Sequence, residues 1–374
     1  MIKELEKLQN ENNYRSLKSL DYEGNFIIYK GKKLLNLCSN DYLSLNINQE
    51  LKHKFLKNIK DKDFYFSSAS SRSLSGGFSI FEELESLLEN FFKGKNALLF
   101  NSGFSLNYSC IQALATLKNT LFLADKFIHA SMIDGLKGAN FFRFRHNDMQ
   151  NLSLLLEKHY KNYERIIILS EALFSMDGDF AHIKQLVEFK KTYKNILLYI
   201  DEAHSVGCFD ESGLGIVKSL GLEKDIDFLV LTFGKALASY GACMLCSRKA
   251  KDFFINKARA LIYSTALAPI NVAFTKFIFE RLKTFDKERK ALKNISSFFK
   301  NLLKDYKIIG DAYIVSLLIG SNEKASFLAN KLLENGFFAP AIKEPTVPKN
   351  TARIRFSLNA NLKEDELLPL KELL

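Results

Sequence analysis

Five points along this 374-residue chain place a chemically capable side chain just after a short apolar, β-prone run. The run 97–100 leads into Asn-Ser-Gly-Phe-Ser at 101–105, and the run 121–124 leads to His129. The run 166–170 is followed by Glu171 and then Ser175. The run 196–200 ends on Asp201, with His204 three residues on, and the run 228–231 gives Thr232 and Lys235. In open α/β sheets ligands bind beyond the carboxyl ends of the strands, so these are the positions where chemistry is expected.

Each point has its own capability. A small-residue turn entering a helix, here at Gly103 and Phe104, offers free main-chain N–H groups and the positive end of the helix dipole, which suits a phosphate. A lysine set among small and apolar residues is partly desolvated. Burial favours its neutral amine, the form that condenses with an aldehyde. Asp201 and His204, three apart at a strand end, can face one ligand. His129 suits a helix cap, a core position or the face of a flat ring. Singly these signals are weak, since most strand-to-helix turns bind nothing and most lysines lie on the surface. Taken together they are what a pyridine aldehyde phosphate needs: donors for the phosphate, a carboxylate for the ring nitrogen, a stacking partner and an amine.

The elements that must hold these residues alternate. Apolar runs at 97–100, 121–124, 166–170, 196–201, 228–231 and 242–246 are separated by helical periods at 82–92, 106–117, 151–160 and 183–193. That alternation predicts an α/β fold with a large parallel or mixed sheet covered on both faces. Beyond it, 269–306 predicts a long helical stretch. Short strands at 312–319 and 353–357 around a helix at 324–335 predict a smaller C-terminal α/β domain. The expected division is an N-terminal segment at 1–45, a large cofactor domain at 46–260 and a small domain at 261–374.

Composition narrows the function classes. Hydrophobic residues make up 47% and charged residues 25%, which are globular values and exclude general disorder. The first 20 residues mix charges without a signal-like apolar core, and no run reaches spanning length, so a cytoplasmic protein with no membrane partner is expected. The cysteines, Cys38, Cys110, Cys208, Cys243 and Cys246, are odd in number and scattered, which argues against a disulfide framework. Cys243 and Cys246 lie in an apolar strand with no second ligand pair, so no metal is expected. The net charge of +11 comes from 53 Lys and Arg against 42 Asp and Glu. Lysines spread over helix faces, with Phe in apolar runs, argue against a nucleic-acid partner. A basic rim for an acidic partner is the remaining specific use of that charge. The glycine pair at Gly213 and Gly215 lacks the third glycine of a dinucleotide site.

The motifs carry a resemblance along nearly the whole chain. They include Cys-Ser-Asn-Asp-Tyr-Leu at 38–43, Ser-Ser-Arg-Ser-Leu-Ser-Gly at 70–76 and His-Ala-Ser-Met-Ile-Asp-Gly at 129–135. They continue with Phe-Ser-Met-Asp-Gly-Asp at 174–179, Asp-Glu-Ala-His-Ser-Val-Gly at 201–207 and Thr-Phe-Gly-Lys at 232–235. In these the sequence resembles the pyridoxal-phosphate α-oxoamine synthases of the aminotransferase-like fold (fold type I), which join an amino acid to an acyl thioester with loss of carbon dioxide. Leu-Ile-Tyr-Ser-Thr at 261–265, and Pro-Thr-Val-Pro at 345–348 with Thr-Ala-Arg-Ile-Arg at 351–355, are most similar to the members that use L-alanine and a pimeloyl thioester. The sister members, which join glycine to a short acyl-CoA or serine to a long one, are the alternative.

The resemblance implies roles. Lys235 binds the cofactor aldehyde covalently and later moves protons. Asp201 pairs with the pyridine nitrogen, and His129 stacks on the ring. His204 and Ser175 bond the ring hydroxyl region. Gly103, Phe104 and Thr232 hold the phosphate, which Ser264 or Thr265 of the other subunit of a homodimer also reaches. Arg355, with Arg353 as second choice, takes the amino-acid carboxylate, assisted by Asn40. Arg15 and Thr346 line the acyl path. The acyl group arrives on coenzyme A or on an acyl carrier protein. Two positions depart from the pattern: Phe81 where a histidine is frequent, and Ser44 where glycine is usual.

Overall fold

The computed structural model describes residues 1–11 and 13–374. Asn12, within the N-terminal segment expected at 1–45, lies outside the described residues. The chain divides into two compact units. The larger comprises Asn48–Phe174 and Phe180–Asp286, the smaller Met1–Ile47, Ser175–Asp179 and Lys287–Leu374.

In the larger unit, seven strands among the described residues form one sheet. They are β1 (Asn96–Phe100), β2 (Thr120–Asp125), β3 (Phe141–Phe144), β4 (Arg165–Glu171), β5 (Ile196–Asp201), β6 (Phe228–Thr232) and β7 (Ala242–Cys246). Their order is β1-β7-β6-β5-β4-β2-β3. All neighbours are parallel except β7, which runs antiparallel to β1 and β6. The central strands are buried along nearly their whole length, as strands covered by helices on both faces must be. β3 is the strand the sequence did not announce. Its first three residues are exposed, and it pairs only at the sheet edge.

Of helices α1 (Ser79–Phe91), α2 (Gly103–Ala115), α3 (Ala130–Gly135), α4 (Met149–His159) and α5 (Ile183–Thr192), all follow the apolar periods except the short α3, which had no period to announce it. α2 opens on a capping box. Ser102 Oγ accepts the Ser105 N–H, and Ser105 Oγ accepts the Ser102 N–H, both at 3.1 Å. It buries Leu106, Cys110, Ile111 and Leu114 in a core shared with Phe122 and Ile167. Gly135 lets α3 approach closely, because a Cβ there would sit 2.9 Å from Ile111 Cβ. Truncating a core ring such as Phe122 to Ala would cost about 3–5 kcal/mol.

Phe81 is a core residue of α1, and the Arg72 guanidinium lies 4.7 Å from its ring centroid. The helical stretch expected at 269–306 is broken. Pro269–Arg281 is followed by a 3₁₀ turn at Leu282–Phe285 and then by Asp286–Leu302.

Among the described residues the smaller unit has two four-stranded sheets. Asp21–Glu23, Phe26–Tyr29 and Lys32–Asn36 are antiparallel, and Phe337–Phe338 joins Lys32–Asn36 in parallel. In the second sheet Ile314–Gly320 pairs with Ala352–Ser357, putting Ser316 opposite Arg355 and Leu318 opposite Arg353. Two-residue periodicity sends both arginines to one face, while Phe356 points to the other and meets Phe299 edge-on at 5.1 Å. Ser44 explains its own oddity. It adopts φ 56°, a left-handed conformation that favours glycine. Hydrogen bonds hold it there, from its hydroxyl to Asn359 Oδ1 at 2.9 Å and from the Asn361 N–H to its hydroxyl at 3.2 Å. Among the described residues no helix is long and apolar enough to cross a membrane.

Candidate active site

The register of the large sheet aligns the strand ends that matter. Glu171 of β4 stands beside Asp201 of β5, and Asp201 beside Val230 of β6. Over these carboxyl ends lies a cavity of about 250 Å³, within the larger unit. Gly103, Phe104, His129, Asp201, His204, Thr232 and Lys235 all line it. They come from four separate strand-end segments.

The first wall is the start of α2. Its capping box uses the N–H groups of Ser102 and Ser105 and leaves those of Gly103 and Phe104 to meet an anion. Gly103 is required sterically, since a Cβ there would lie 2.6 Å from Thr232 Cγ2. The Thr232 hydroxyl donates to the Ala203 carbonyl at 3.3 Å.

On the floor, Asp201 is buried and receives two hydrogen bonds. Asn107 Nδ2 donates to Oδ2 at 2.7 Å, and the Ala203 N–H donates to Oδ1 at 2.9 Å. Lys235 Nζ lies 3.0 Å from His204 Nε2, joining the ends of β6 and β5. Lys235 is half-buried, as expected for an amine set among small and apolar neighbours.

His129 caps α3, its Nδ1 accepting the Ser131 N–H at 3.2 Å. Its ring is open to the cavity, and Phe104 stands edge-on to it at 6.4 Å. The walls desolvate the ring and lower its pKa. Asp201 opposes that shift and Lys235 adds to it.

Two buried acids adjoin this set. Glu171 also lines the cavity, and burial pushes its carboxyl well above the usual range, reinforced by Asp201 and opposed by Lys235 and the His129 main-chain N–H. Its Oε1 has no hydrogen-bond partner among the described residues. Glu202 is pushed up to about 8 by burial, against the N–H groups of Val217 and Ile216 that hydrogen-bond to it. Its carboxyl also accepts from the Ser205 hydroxyl, and the Gly215 turn packs directly on it.

Thr265 lies outside this cavity on an exposed position, where its main-chain oxygen accepts from Asn101 Nδ2 at 2.6 Å. The remaining expected residues belong to the smaller unit. There Arg355 donates to the Ser175 carbonyl at 2.6 Å, to Ser357 Oγ at 2.5 Å and to Asn40 Oδ1 at 3.3 Å. All three of these partners are neutral. Arg353 instead forms an ion pair with Asp177. Arg15 donates to Thr346 Oγ1 at 3.2 Å.

Sequence reasoning passed over Asn107 and assigned no role to Glu171. Asn107 is a polar residue on the apolar face of α2, and Glu171 ends β4 as Asp201 ends β5. Both signals were present, and only the contact across strands gives them meaning.

Comparison with known proteins places this geometry in context. Residues 32–372 match the family described as aminotransferase class I and II. A Haemophilus influenzae protein, provisionally named 8-amino-7-oxononanoate synthase, is 46% identical over 97% of both chains. A Neisseria gonorrhoeae protein with the same provisional name matches equally, 46% over 97% of each. Among solved structures, a serine palmitoyltransferase from S. paucimobilis superposes with a TM-score of 0.89 at 25% identity, over 100% of this chain and 95% of that one. An 8-amino-7-oxononanoate synthase from Francisella tularensis gives a TM-score of 0.74 at 27% identity, over 91% of this chain and 96% of that one.

Proposed function

From the premise that the chain belongs to the class I and II aminotransferase family, as a pyridoxal-phosphate enzyme of the α-oxoamine synthase type, we propose that it condenses L-alanine with a pimeloyl thioester, with loss of carbon dioxide, to give 8-amino-7-oxononanoate. The observation that carries this reading is the single cavity in which the Lys235 amine, the Asp201 carboxylate, the His129 ring and the open N–H groups of α2 converge. The 46% identity to the provisionally named synthases supports the choice of substrates.

The residues fit pyridoxal phosphate. Gly103 keeps the α2 turn free of a Cβ that would collide with Thr232, so an anion can approach the N–H groups of Gly103 and Phe104. Asp201, hydrogen-bonded on both oxygens, is the carboxylate for a protonated ring nitrogen, and the open face of His129 is the ring's neighbour. When bound, the cofactor supplies an aldehyde for the amino group and a ring that accepts charge from the substrate's α-carbon.

The chain's own residues do the rest. Lys235 anchors the cofactor and, once displaced by the substrate amine, takes the α-proton at Nζ and later returns one. His204, 3.0 Å from Nζ, orients that amine. Asp201 stabilises positive charge in a site where water competes little. Arg355 holds the amino-acid carboxylate with its guanidinium, and Asn40 steadies it. Ser175 bonds the ring hydroxyl region, Arg15 and Thr346 border the acyl path, and Thr265 reaches the phosphate of the partner in a homodimer.

A second reading is favoured by the higher TM-score to serine palmitoyltransferase: a sister synthase that uses serine or glycine. The test is product analysis with purified enzyme given L-alanine, glycine or L-serine, each with pimeloyl-, acetyl- or palmitoyl-CoA. Formation of 8-amino-7-oxononanoate as the fastest reaction is expected. Faster turnover of serine or glycine with another acyl group would replace the first reading with the second.

A further inference from the structure

Asn107 stands at the centre of the buried hydrogen bonds behind the cavity. It is 1% exposed, one turn into α2, and its amide touches three side chains. Nδ2 lies 2.7 Å from Asp201 Oδ2 and 3.1 Å from Ser131 Oγ, and Oδ1 lies 2.8 Å from the Tyr199 hydroxyl. The directions of these bonds follow from chemistry. An ionised carboxylate only accepts, so the amide must present its NH₂ to Asp201 and its oxygen to Tyr199. Tyr199 therefore donates. It is wholly buried, and burial raises its pKa well above the ordinary value, so the phenol keeps the proton that it donates.

The second N–H of the amide goes to Ser131 Oγ. Having accepted there, the Ser131 hydroxyl is free to turn its own hydrogen to His129 Nδ1, 2.8 Å away. The Ser131 main-chain N–H points at the same nitrogen from 3.2 Å. Two donors aimed at Nδ1 make it an acceptor, which leaves the ring proton on Nε2. One amide thus sets the polarity of a network that reaches both the floor and the wall of the cavity.

We propose that Asn107 is the positioning residue of this site, its amide fixing both the orientation of the Asp201 carboxylate and the Nε2–H tautomer of His129. This rests on reading Asp201 and His129 as the groups that face the pyridoxal phosphate ring. It goes beyond that reading by naming what holds them. The low basicity of His129 agrees, because a ring that is neutral has a tautomer to be chosen.

The experiment uses the full-length protein and pyridoxal phosphate as the probe. The dissociation constant is followed from pH 6 to 9 by the visible absorbance of the bound cofactor, for wild type, Asn107→Leu and Asn107→Asp. Losing the donor in Asn107→Leu should weaken binding about tenfold or more at every pH, the scale of one charge-assisted hydrogen bond. In Asn107→Asp the introduced carboxyl shares a buried site with Asp201, so like charge and burial raise its pKa. While protonated it donates to Asp201 and binding should be near wild type. As pH rises and it ionises, binding should fall by more than tenfold, giving a slope that wild type lacks. Equal losses in both variants with parallel pH profiles would reduce Asn107 to core filling and overturn the proposal.

The His129 arm is read separately from ¹⁵N shifts of its ring in labelled protein. Wild type should show the Nε2–H form, and Ser131→Ala, a milder change that leaves only the weaker main-chain donor at Nδ1, should show a smaller excess of that form while keeping the cofactor affinity. An unchanged tautomer in Ser131→Ala would overturn that arm even if Asn107→Leu failed to fold. Failure of the underlying reading looks different: Asp201→Asn would then leave the cofactor affinity and spectrum of the protein unaltered.

Discussion

The Nζ of Lys235 lies 3.0 Å from Nε2 of His204, although the two belong to separate strand-end turns. The contact is possible because β5 and β6 are adjacent parallel strands, so the residues after each emerge on the same edge of the sheet. It ties the one amine in the cavity to the imidazole of the segment that also carries Asp201.

Replacing Lys235 tests that arrangement. Lys235→Ala should lose at least the ~10²–10⁴-fold that a positioned base contributes to turnover. Borohydride should fix pyridoxyl phosphate to Lys235 in wild type, found by peptide mapping, and to no residue in the variant. Turnover of Lys235→Ala within tenfold of wild type would remove the lysine from the chemistry.

Gly103 and Thr232 make a paired test. A Cβ on Gly103 would sit 2.6 Å from Thr232 Cγ2, so Gly103→Ala should push the α2 turn out of place and weaken cofactor binding by about tenfold or more. Adding Thr232→Ser removes the colliding methyl and keeps the hydroxyl. The double variant should recover most of the loss in a titration with pyridoxal phosphate. No recovery would mean that the glycine serves something other than this approach.

The two arginines of Ala352–Ser357 should separate by the quantity they change. Among the described residues Arg355 bonds only neutral partners, so on the proposed function Arg355→Lys should raise the KM for the amino acid by about 10- to 100-fold through loss of the planar fork, with little change in thermal stability. Arg353 is buried and ion-paired with Asp177, and Arg353→Met should mainly cost stability, about 1.5–3 kcal/mol for the lost hydrogen bond to a charged group. Steady-state kinetics and denaturant melts on both variants decide it. The opposite pattern would give the carboxylate to Arg353.

Glu202 sets a pH dependence. Its folded pKa of about 8 lies above the ordinary carboxyl value, so between roughly pH 4.5 and 8 the folded state binds a proton that the unfolded state has released. Stability from this group is therefore full at low pH and declines as pH rises through that window, levelling above it. Glu202→Gln cannot titrate, but its one oxygen serves only one of the two N–H groups, Ile216 at Oε2 or Val217 at Oε1, so the variant should also be less stable at every pH. Its melting temperature should be flatter than that of wild type from pH 5 to 8. Identical slopes would assign the titration elsewhere.

Much of this was legible in the chain. Strands could be read because β2, β4, β5 and β6 are buried on both faces and must be continuous apolar runs. The lysine, the acid and both histidines could be found because a parallel sheet sends its chemistry to the residues after each run. β3 escaped because an exposed edge strand need not be apolar. The short sheet at Asp21–Asn36 escaped because its pairing with Phe337–Phe338 spans some 300 residues and leaves no local period.

By itself the sequence determined the family, the central strands of the large sheet and which polar side chains follow them, because each is written in local pattern and residue type. Tertiary structure alone decided how those side chains are held. Among the described residues it left Arg355 without an ion pair while Asp177 took Arg353, since strand register and distance choose ion pairs. It made Asn107 the partner of Asp201, 94 residues away, and so brought a residue with no catalytic look into the frame of the site. Hydrogen bonds act over about 3 Å of space, and no spacing along the chain encodes which two groups will share that distance.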